Sequence, residues 1–160
     1  MDTHSKHEMK SDSGHYRGLA IMAALSFVAM YALMYAMVDR FGNVHNSLNQ
    51  AYMAGLMTAP MLMFELFLMR SMYRSTKANA VVLFGSALLL VGCFAAIRTQ
   101  AGISDKQFLR SMIPHHASAI LMCEQASLHD PEIKALCERI RTSQQSEIGL
   151  MGAKLHQLEK

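Results

Sequence analysis

Three long stretches of the chain carry no charged residue, and they constrain the fold more than any other feature. They run from Gly18 to Val38, from Phe41 to Phe64 and from Ala78 to Ile97. Because a helix rises about 1.5 Å per residue, about 20 apolar residues cross a hydrocarbon core about 30 Å thick. We therefore predict transmembrane helices over 18–38, 51–69 and 80–97. Charged residues make up only 17% of the chain, which excludes a disordered protein.

The first stretch has an alternative explanation as a cleaved secretory signal peptide. Lys6, Lys10 and Arg17 form a basic start before it. However, its apolar run is longer than that of a signal peptide, and no small-residue cleavage site precedes Asp39. We therefore expect the first stretch to remain as a membrane span.

The distribution of Lys and Arg predicts the orientation. Six basic residues lie in the N-terminal segment and the second connection, against four on the opposite side. The excess favours a cytoplasmic N-terminus. The expected organisation is a polar cytoplasmic tail over 1–17, a transmembrane region over 18–98 and a periplasmic or extracellular helical metal-binding domain over 103–160. The expected location is the inner (plasma) membrane.

The segment after Ile103 is predicted to form two helices. Ser104 is a candidate N-cap of the first helix. Asp130 followed by Pro131 predicts the turn and the start of the second, because Asp caps a helix and proline fits its first position. Pro114 lies inside the first helix, so we expect a kink or a restart just before His115.

Metal-binding side chains are concentrated on these two helices. At 3.6 residues per turn, one face of the first helix, about 100° wide, collects two imidazoles, two thioethers, a thiol and a carboxylate. Gln144, Glu147 and Met151 share a side of the second helix. Mixed nitrogen and sulfur ligands suit copper, Cu(I) more than Cu(II), and zinc or iron is not excluded. The residues of the first face are Asp105, Met112, His115, His116, Ala119, Met122 and Cys123.

Three segments of this region carry a family resemblance. They read D-x-x-F-L-R-S-M-I-P-H-H-A-S-A-I-L-M, D-P-E-I-K-A-L-C-E-R-I and Q-x-x-E-I-G-L-M, within about the last 60 residues. This pattern resembles the domain-of-unknown-function 305 family, a helical, ferritin-like domain of bacterial exported or membrane proteins, some implicated in copper binding. The resemblance implies a metal-associated role and places the family pattern on Met112, His115, His116, Met122, Gln144, Glu147 and Met151.

Asp105, Cys123 and Cys137 are further candidate ligands. The two cysteines each lie seven residues from Asp130, so a hairpin that turns there brings them opposite one another. They form either a disulfide, in an oxidising compartment, or two more soft ligands. They stand where the resembled family commonly has alanine.

A second methionine pattern lies in the spans. Met53, Met57 and Met61 follow at i, i+4 and i+8 on the second span. Such a stripe either offers thioethers to Cu(I) or packs helix against helix. The Met-x-x-x-Met spacing is similar to that of trimeric copper uptake channels, but the close-packing G-x-x-x-G of their last span is absent here. These methionines are therefore candidate ligands in a channel hypothesis.

Two helices are too few for a ferritin-like core, so we predict a homodimer or higher homo-oligomer that completes a four-helix bundle. The predicted fold class is therefore all-α: three transmembrane helices and a two-helix hairpin. The leading hypothesis is a membrane-anchored, non-enzymatic copper-binding protein for sequestration, homeostasis or delivery to a metal-exchange partner. A copper channel and a structural oligomerisation module are the alternatives. A diiron enzyme would need more carboxylates than this domain offers. We expect no nucleic-acid partner.

Overall fold

The computed structural model describes the backbone from residue 3 and the side chains from residue 14 to the C-terminus. Every regular element within these residues is helical, which confirms the all-α prediction. Side chains of most of the predicted tail, residues 1–17, lie outside the described part. The helices are α1 (Thr3–Leu33), α2 (Leu48–Leu68), α3 (Thr76–Thr99), α4 (Asp105–Gln125) and α5 (Pro131–Glu159), with short 3-10 turns at Met34–Met37 and Phe41–Asn43.

Three helical segments are long and apolar enough to cross a membrane, as the charge-free stretches predict. They are Gly14–Met37, Leu48–Leu68 and Thr76–Thr99. The second and third extend a few residues beyond the predicted bounds, because helix formation continues into polar flanks such as Asn49 and Lys77.

The chain divides into two compact units. Met1–Ala32 and Ala51–Ala101 form the first, here called the span unit. Leu33–Gln50 and Gly102–Lys160 form the second, here called the hairpin unit. The connection between the first two spans therefore groups with the C-terminal helices rather than with the spans.

The interior of the span unit is built from small side chains on α2. Ala54, Gly55, Thr58 and Ala59 are buried. A Cβ atom at Gly55 would lie 2.8 Å from Cys93 Sγ of α3, so only glycine allows this close approach between the two helices.

A polar network joins the three helices at one end of the span unit. The Tyr16 hydroxyl of α1 donates to Asn79 Oδ1 at 2.7 Å, and Asn79 Nδ2 donates to the Tyr73 carbonyl at 2.8 Å. The Tyr73 hydroxyl lies 3.4 Å from Glu65 Oε1, and its ring centroid is 5.3 Å from that of Tyr16. Glu65 thus has a hydroxyl donor near the end of its span, where a lone carboxylate would be costly.

The hairpin unit has a core made by α4 and α5. Ile113, Ala117 and Ile120 of α4 pack against Ile148 and Leu155 of α5, and all five are buried. The Asp130 side chain accepts hydrogen bonds from the backbone of Glu132 and Ile133, which confirms the predicted cap, with Pro131 following it. Ser104 occupies the N-cap position of α4 without a side-chain hydrogen bond.

Helix α4 continues through Pro114, so the predicted restart before His115 is wrong. Proline removes one backbone donor, but the ring of Pro114 is buried in the hairpin unit. The Ser118 hydroxyl also donates to the Pro114 carbonyl at 2.9 Å, which supports the next turn. Tertiary packing therefore outweighs the local cost of the proline.

The connection before α2 is built onto the hairpin by specific contacts. Val38 packs against the hairpin core. The Gln107 side chain accepts from the Leu48 backbone N–H at 2.9 Å, and Asn49 Nδ2 donates to Ser111 Oγ at 3.4 Å. This connection therefore belongs to the framework that holds α4.

Candidate metal centre

Two predicted ligands, His116 of α4 and Glu147 of α5, contact each other across the hairpin. His116 Nδ1 lies 3.0 Å from Glu147 Oε2, and the His116 side chain is only 13% exposed. The other carboxylate oxygen of Glu147 accepts from the Ser143 hydroxyl at 2.9 Å. A carboxylate that holds one imidazole nitrogen fixes the ring and leaves Nε2 as the nitrogen free to bind a metal. The geometry therefore suits Glu147 to orienting His116.

Two buried polar atoms near this pair lack a hydrogen-bond partner among the described residues. They are His116 Nδ1, whose approach to Glu147 has an ion-pair distance but not hydrogen-bond geometry, and Gln144 Oε1. A buried polar atom without a partner costs free energy, and such atoms commonly mark a site for water, an ion or a ligand. Gln144 Oε1 therefore has unsatisfied hydrogen-bonding capacity, whereas His116 Nδ1 has the ion-pair contact with Glu147.

Two other predicted ligands of α4, His115 and Met122, face outward. His115 is exposed, Met122 is 54% exposed and Met112 is half-buried. The ring centroids of His115 and His116 are 6.1 Å apart, so adjacent positions on the helix send the two imidazoles in different directions. Met151 of α5 is half-buried and packs against the hairpin core.

The predicted donor set is therefore split within one chain. Among the side chains of residues 14–160, no three His, Cys, Asp or Glu residues converge to form a metal site. Asp105 is exposed in the first turn of α4. A single hairpin brings together His116 and Glu147, and it leaves His115 and Met122 facing outward.

The outward residues form a second stripe beside the core. Along each helix the distance between successive stripe residues alternates between three and four positions. This spacing is typical of a helix face that packs against another helix. Glu147 belongs to the α5 stripe and contacts His116, which follows His115 of the α4 stripe, so helical geometry places the two stripes on the same side of the hairpin. We call this side the donor face; it comprises Phe108, Met112, His115, Ala119 and Met122 of α4 and Ile133, Leu136, Ile140, Ser143, Glu147 and Leu150 of α5.

Comparison with known proteins agrees with the family pattern on these helices. Residues 94–159 match the family described as "Domain of unknown function (DUF305)". An uncharacterized protein of Acanthamoeba polyphaga mimivirus is 38% identical over 138 residues, which cover 84% of this chain and 89% of that protein. The chain belongs to the DUF305 family. No solved structure matches it.

The relative extends this likeness beyond the DUF305 domain. The alignment of 138 residues is longer than the segment 94–159, so it includes residues of the span unit. The likeness between the two proteins is therefore not confined to the DUF305 segment.

In this DUF305 protein the two hairpin cysteines are joined to each other. Cys123 at the end of α4 and Cys137 in α5 form a disulfide, with their Cα atoms 5.3 Å apart. The structure thus favours the bridge over the alternative of two soft ligands. A bridged sulfur has no thiolate to offer a metal.

The methionine stripe of α2 does not line an interior path in one DUF305 chain. Met53 and Met57 are 39% and 37% exposed, and Met61 is half-buried. Met30 of α1 lies 3.7 Å from the Thr58 hydroxyl, a contact within the span unit that the stripe spacing does not indicate.

Sequence reasoning missed one contributor to the site, Ser143, and one histidine of the connection, His45. Ser143 holds Glu147, and its i, i+4 spacing from Glu147 was the available signal. His45, in the connection, lies close enough to the hairpin for the charges of Arg110 and Glu159 to act on it. Burial first, and then the Arg110 cation, lower the pKa of His45, while Glu159 acts in the opposite direction.

Proposed function

We propose that this DUF305 protein is a membrane-anchored copper-binding protein that sequesters Cu(I) or hands it to a partner protein. The observation that carries the proposal is the His116–Glu147 pair at 3.0 Å, with Ser143 behind the carboxylate. A carboxylate-oriented histidine is the usual arrangement of an imidazole metal ligand. In this proposal His116 Nε2 binds the metal and Glu147 orients the ring.

A complete coordination sphere then requires a second chain. His115 and Met122 lie on the donor face with Met112, and within 14–160 of one chain no third His, Cys, Asp or Glu joins His116 and Glu147. Packing two donor faces together would bury Phe108, 49% exposed, and Leu150, 70% exposed. It would also place soft sulfur and imidazole ligands inside a four-helix bundle, which suits Cu(I). The proposed functional unit is therefore a homodimer.

Placement of this copper site in the periplasm is part of the same proposal. The Lys and Arg asymmetry supports a cytoplasmic N-terminus. The disulfide between Cys123 and Cys137 supports an oxidising compartment for the hairpin, because such bonds are rare in the cytosol. Reporter fusions at Lys160, with an enzyme that is active only on one side of the membrane, test this orientation.

Titration of the full chain in detergent with Cu(I) against a competing chelator tests the metal site. We expect the His115→Ala/His116→Ala variant to lose at least about tenfold in affinity. The matched control is His129→Ala/His156→Ala, which removes two exposed histidines away from the donor face. Equal affinity of the two double variants would contradict the assignment.

A copper channel through the spans stays a second hypothesis. The exposure of Met53 and Met57 means that a methionine-lined path would have to form between chains. Copper flux into proteoliposomes, compared between the wild type and Met57→Leu/Met61→Leu, separates transport from binding. Loss of flux with unchanged Cu(I) affinity would favour the channel.

A further inference from the structure

We propose that the span unit holds an anionic phospholipid, with one acyl chain in a groove between its helices and the phosphate beside three basic residues, Arg17, Arg74 and Lys77. The groove has a volume of about 280 Å³. It shares no residue with the candidate metal centre. Two independent features, one apolar and one charged, point to this ligand.

The groove itself is apolar and lies within the span unit. Its wall includes Leu19 and Ala23 of α1, Leu62 of α2, and Val82 and Leu89 of α3. Gly85 also lines it, and a side chain at that position would meet open space. At about 30 Å³ for each water-sized group, the groove accepts on the order of nine methylene groups. This is room for part of one membrane acyl chain.

One wall residue adds a polar requirement. Ser86 is 3% exposed, and its hydroxyl has no hydrogen-bond partner among the described residues. A buried hydroxyl without a partner is costly, and a bare hydrocarbon chain cannot satisfy it. The ester carbonyl of a lipid can accept from it. The occupant of the groove therefore combines a hydrocarbon chain with an acceptor oxygen.

The charged feature lies at the end of the groove marked by Tyr16. Tyr16 both lines the groove and donates to Asn79, while its hydroxyl lies 3.2 Å from the Ser75 carbonyl. Arg17 follows Tyr16 directly, Arg74 precedes Ser75 directly, and Lys77 lies two residues after Ser75. All three cations are exposed, and none forms an ion pair with a side chain in 14–160.

Exposed cations at a membrane surface attract anionic headgroups. The end that carries Tyr16 is also the end that the Lys and Arg count places in the cytoplasm, where anionic lipids are enriched. A phosphate beside Arg17, Arg74 and Lys77 would be continuous with a chain that enters past Tyr16. The combination selects an anionic phospholipid over a zwitterionic one.

Native mass spectrometry tests the headgroup. Delipidated full-length protein is incubated with phosphatidylglycerol or with phosphatidylcholine that carries the same acyl chains. We expect about tenfold greater retention of phosphatidylglycerol, and we expect Arg17→Gln/Arg74→Gln/Lys77→Gln to abolish the difference. The control, Arg98→Gln/Lys134→Gln/Arg139→Gln, removes the same charge at exposed positions elsewhere. It should retain the preference for phosphatidylglycerol. Equal retention of both lipids by the wild type would overturn the proposal.

A substitution that fills the groove tests whether an acyl chain binds there. Gly85→Leu should reduce retention of phosphatidylglycerol at least about fivefold, because a leucine side chain occupies the groove. Gly92→Leu is the matched control, since it lies on the same helix, also faces open space and does not line the groove. Equal retention by the two variants would overturn the chain-binding site.

A third arm uses the unmodified protein and so does not depend on how a variant folds. Phosphatidylglycerol with a photoreactive group in one acyl chain should crosslink to Leu62, Val82 or Leu89. Crosslinks confined to other faces of the spans would overturn the proposal. Glycerol 3-phosphate in excess should not displace the lipid; displacement would mean a simple anion site and would also overturn it.

Discussion

Glu147 Oε2 lies 3.0 Å from His116 Nδ1, and this contact connects the two helices of the hairpin at the centre of the predicted ligand set. The Ser143 hydroxyl, also on α5, donates to the same carboxylate. A residue of its own helix therefore holds Glu147 in position for the contact with α4. In the proposed copper site this arrangement separates two roles: the imidazole of His116 as the ligand and the carboxylate of Glu147 as its support.

Removing the supporting carboxylate should weaken copper binding without abolishing it. We expect Glu147→Gln to lower Cu(I) affinity about 10-fold to 100-fold, because His116 loses the group that orients its ring. Ser143→Ala should have a smaller effect in the same direction. The measurement is Cu(I) competition with a chelator. Glu138→Gln is the control, since Glu138 pairs with Arg141 on the exposed surface; an equal loss in that variant would argue against the positioning role.

Loss of the disulfide should destabilise the hairpin but leave the metal affinity unchanged. Cys123 and Cys137 are 14 residues apart, and closing a loop of about 15 residues stabilises the folded state by roughly 3 kcal/mol. Cys123→Ser/Cys137→Ser should therefore lower the free energy of unfolding measured by denaturant titration in detergent. Cys93→Ser provides a comparison outside the hairpin. A large fall in Cu(I) affinity of the double variant would instead identify the sulfurs as ligands.

The donor face should determine the oligomeric state. Leu150, 70% exposed, lies on this face, and placing a lysine there would bury a charge if two hairpins pack together. Leu150→Lys should therefore convert a dimer into a monomer in light scattering corrected for detergent. Gln145→Lys adds the same charge at an exposed position off the donor face and should remain dimeric. A wild type that is already monomeric at micromolar concentration would contradict the dimer.

Stability of the hairpin unit should fall at mildly acidic pH. Burial and the Arg110 cation lower the pKa of His45 below its ordinary value of 6.5, so the unfolded chain takes up the proton first. The contribution of neutral His45 is present above pH 6.5 and is lost as the pH falls through the lower folded-state pKa. The hydrogen bond from Arg110 lowers the pKa of Glu159, whose contribution is lost at still lower pH.

Thermal unfolding in detergent between pH 7 and pH 5, measured by circular dichroism, checks this expectation. His45→Gln should flatten the pH dependence in that interval, whereas His129→Gln, at an exposed position, should not. An unchanged slope in His45→Gln would assign the pH dependence to other groups.

The features that the sequence predicts are local or periodic ones. The spans follow from uninterrupted apolar length, the start of α5 from Asp130 and Pro131, and the choice between Cys123 and Cys137 as a bridge or as ligands from their equal distance to the turn. Each depends on a few neighbouring residues or on one simple hairpin. For Cys123 and Cys137 the sequence predicts only that they lie opposite one another; the disulfide itself comes from the structure. The family resemblance likewise depends on short motifs, and the match over 94–159 supports it.

What the sequence does not predict depends on contacts between distant segments. Pro114 looks like a helix break locally, but burial in the core keeps α4 continuous. His115 and His116 are adjacent, and helical geometry alone does not say that His116 turns toward Glu147 while His115 stays exposed. The contact of Leu48 with Gln107 joins residues 59 positions apart, and no local pattern encodes it.

The inclusion of residues 33–50 in the hairpin unit limits how this protein can be divided. A soluble fragment that begins at Ile103 would carry both helices and the disulfide, but it would lack Val38 over the core and the backbone N–H that Gln107 accepts from. Such a fragment would expose apolar surface that is covered in the whole chain. A faithful soluble version has to carry the 33–50 segment with it, joined to Gly102 through a linker that replaces the second and third spans.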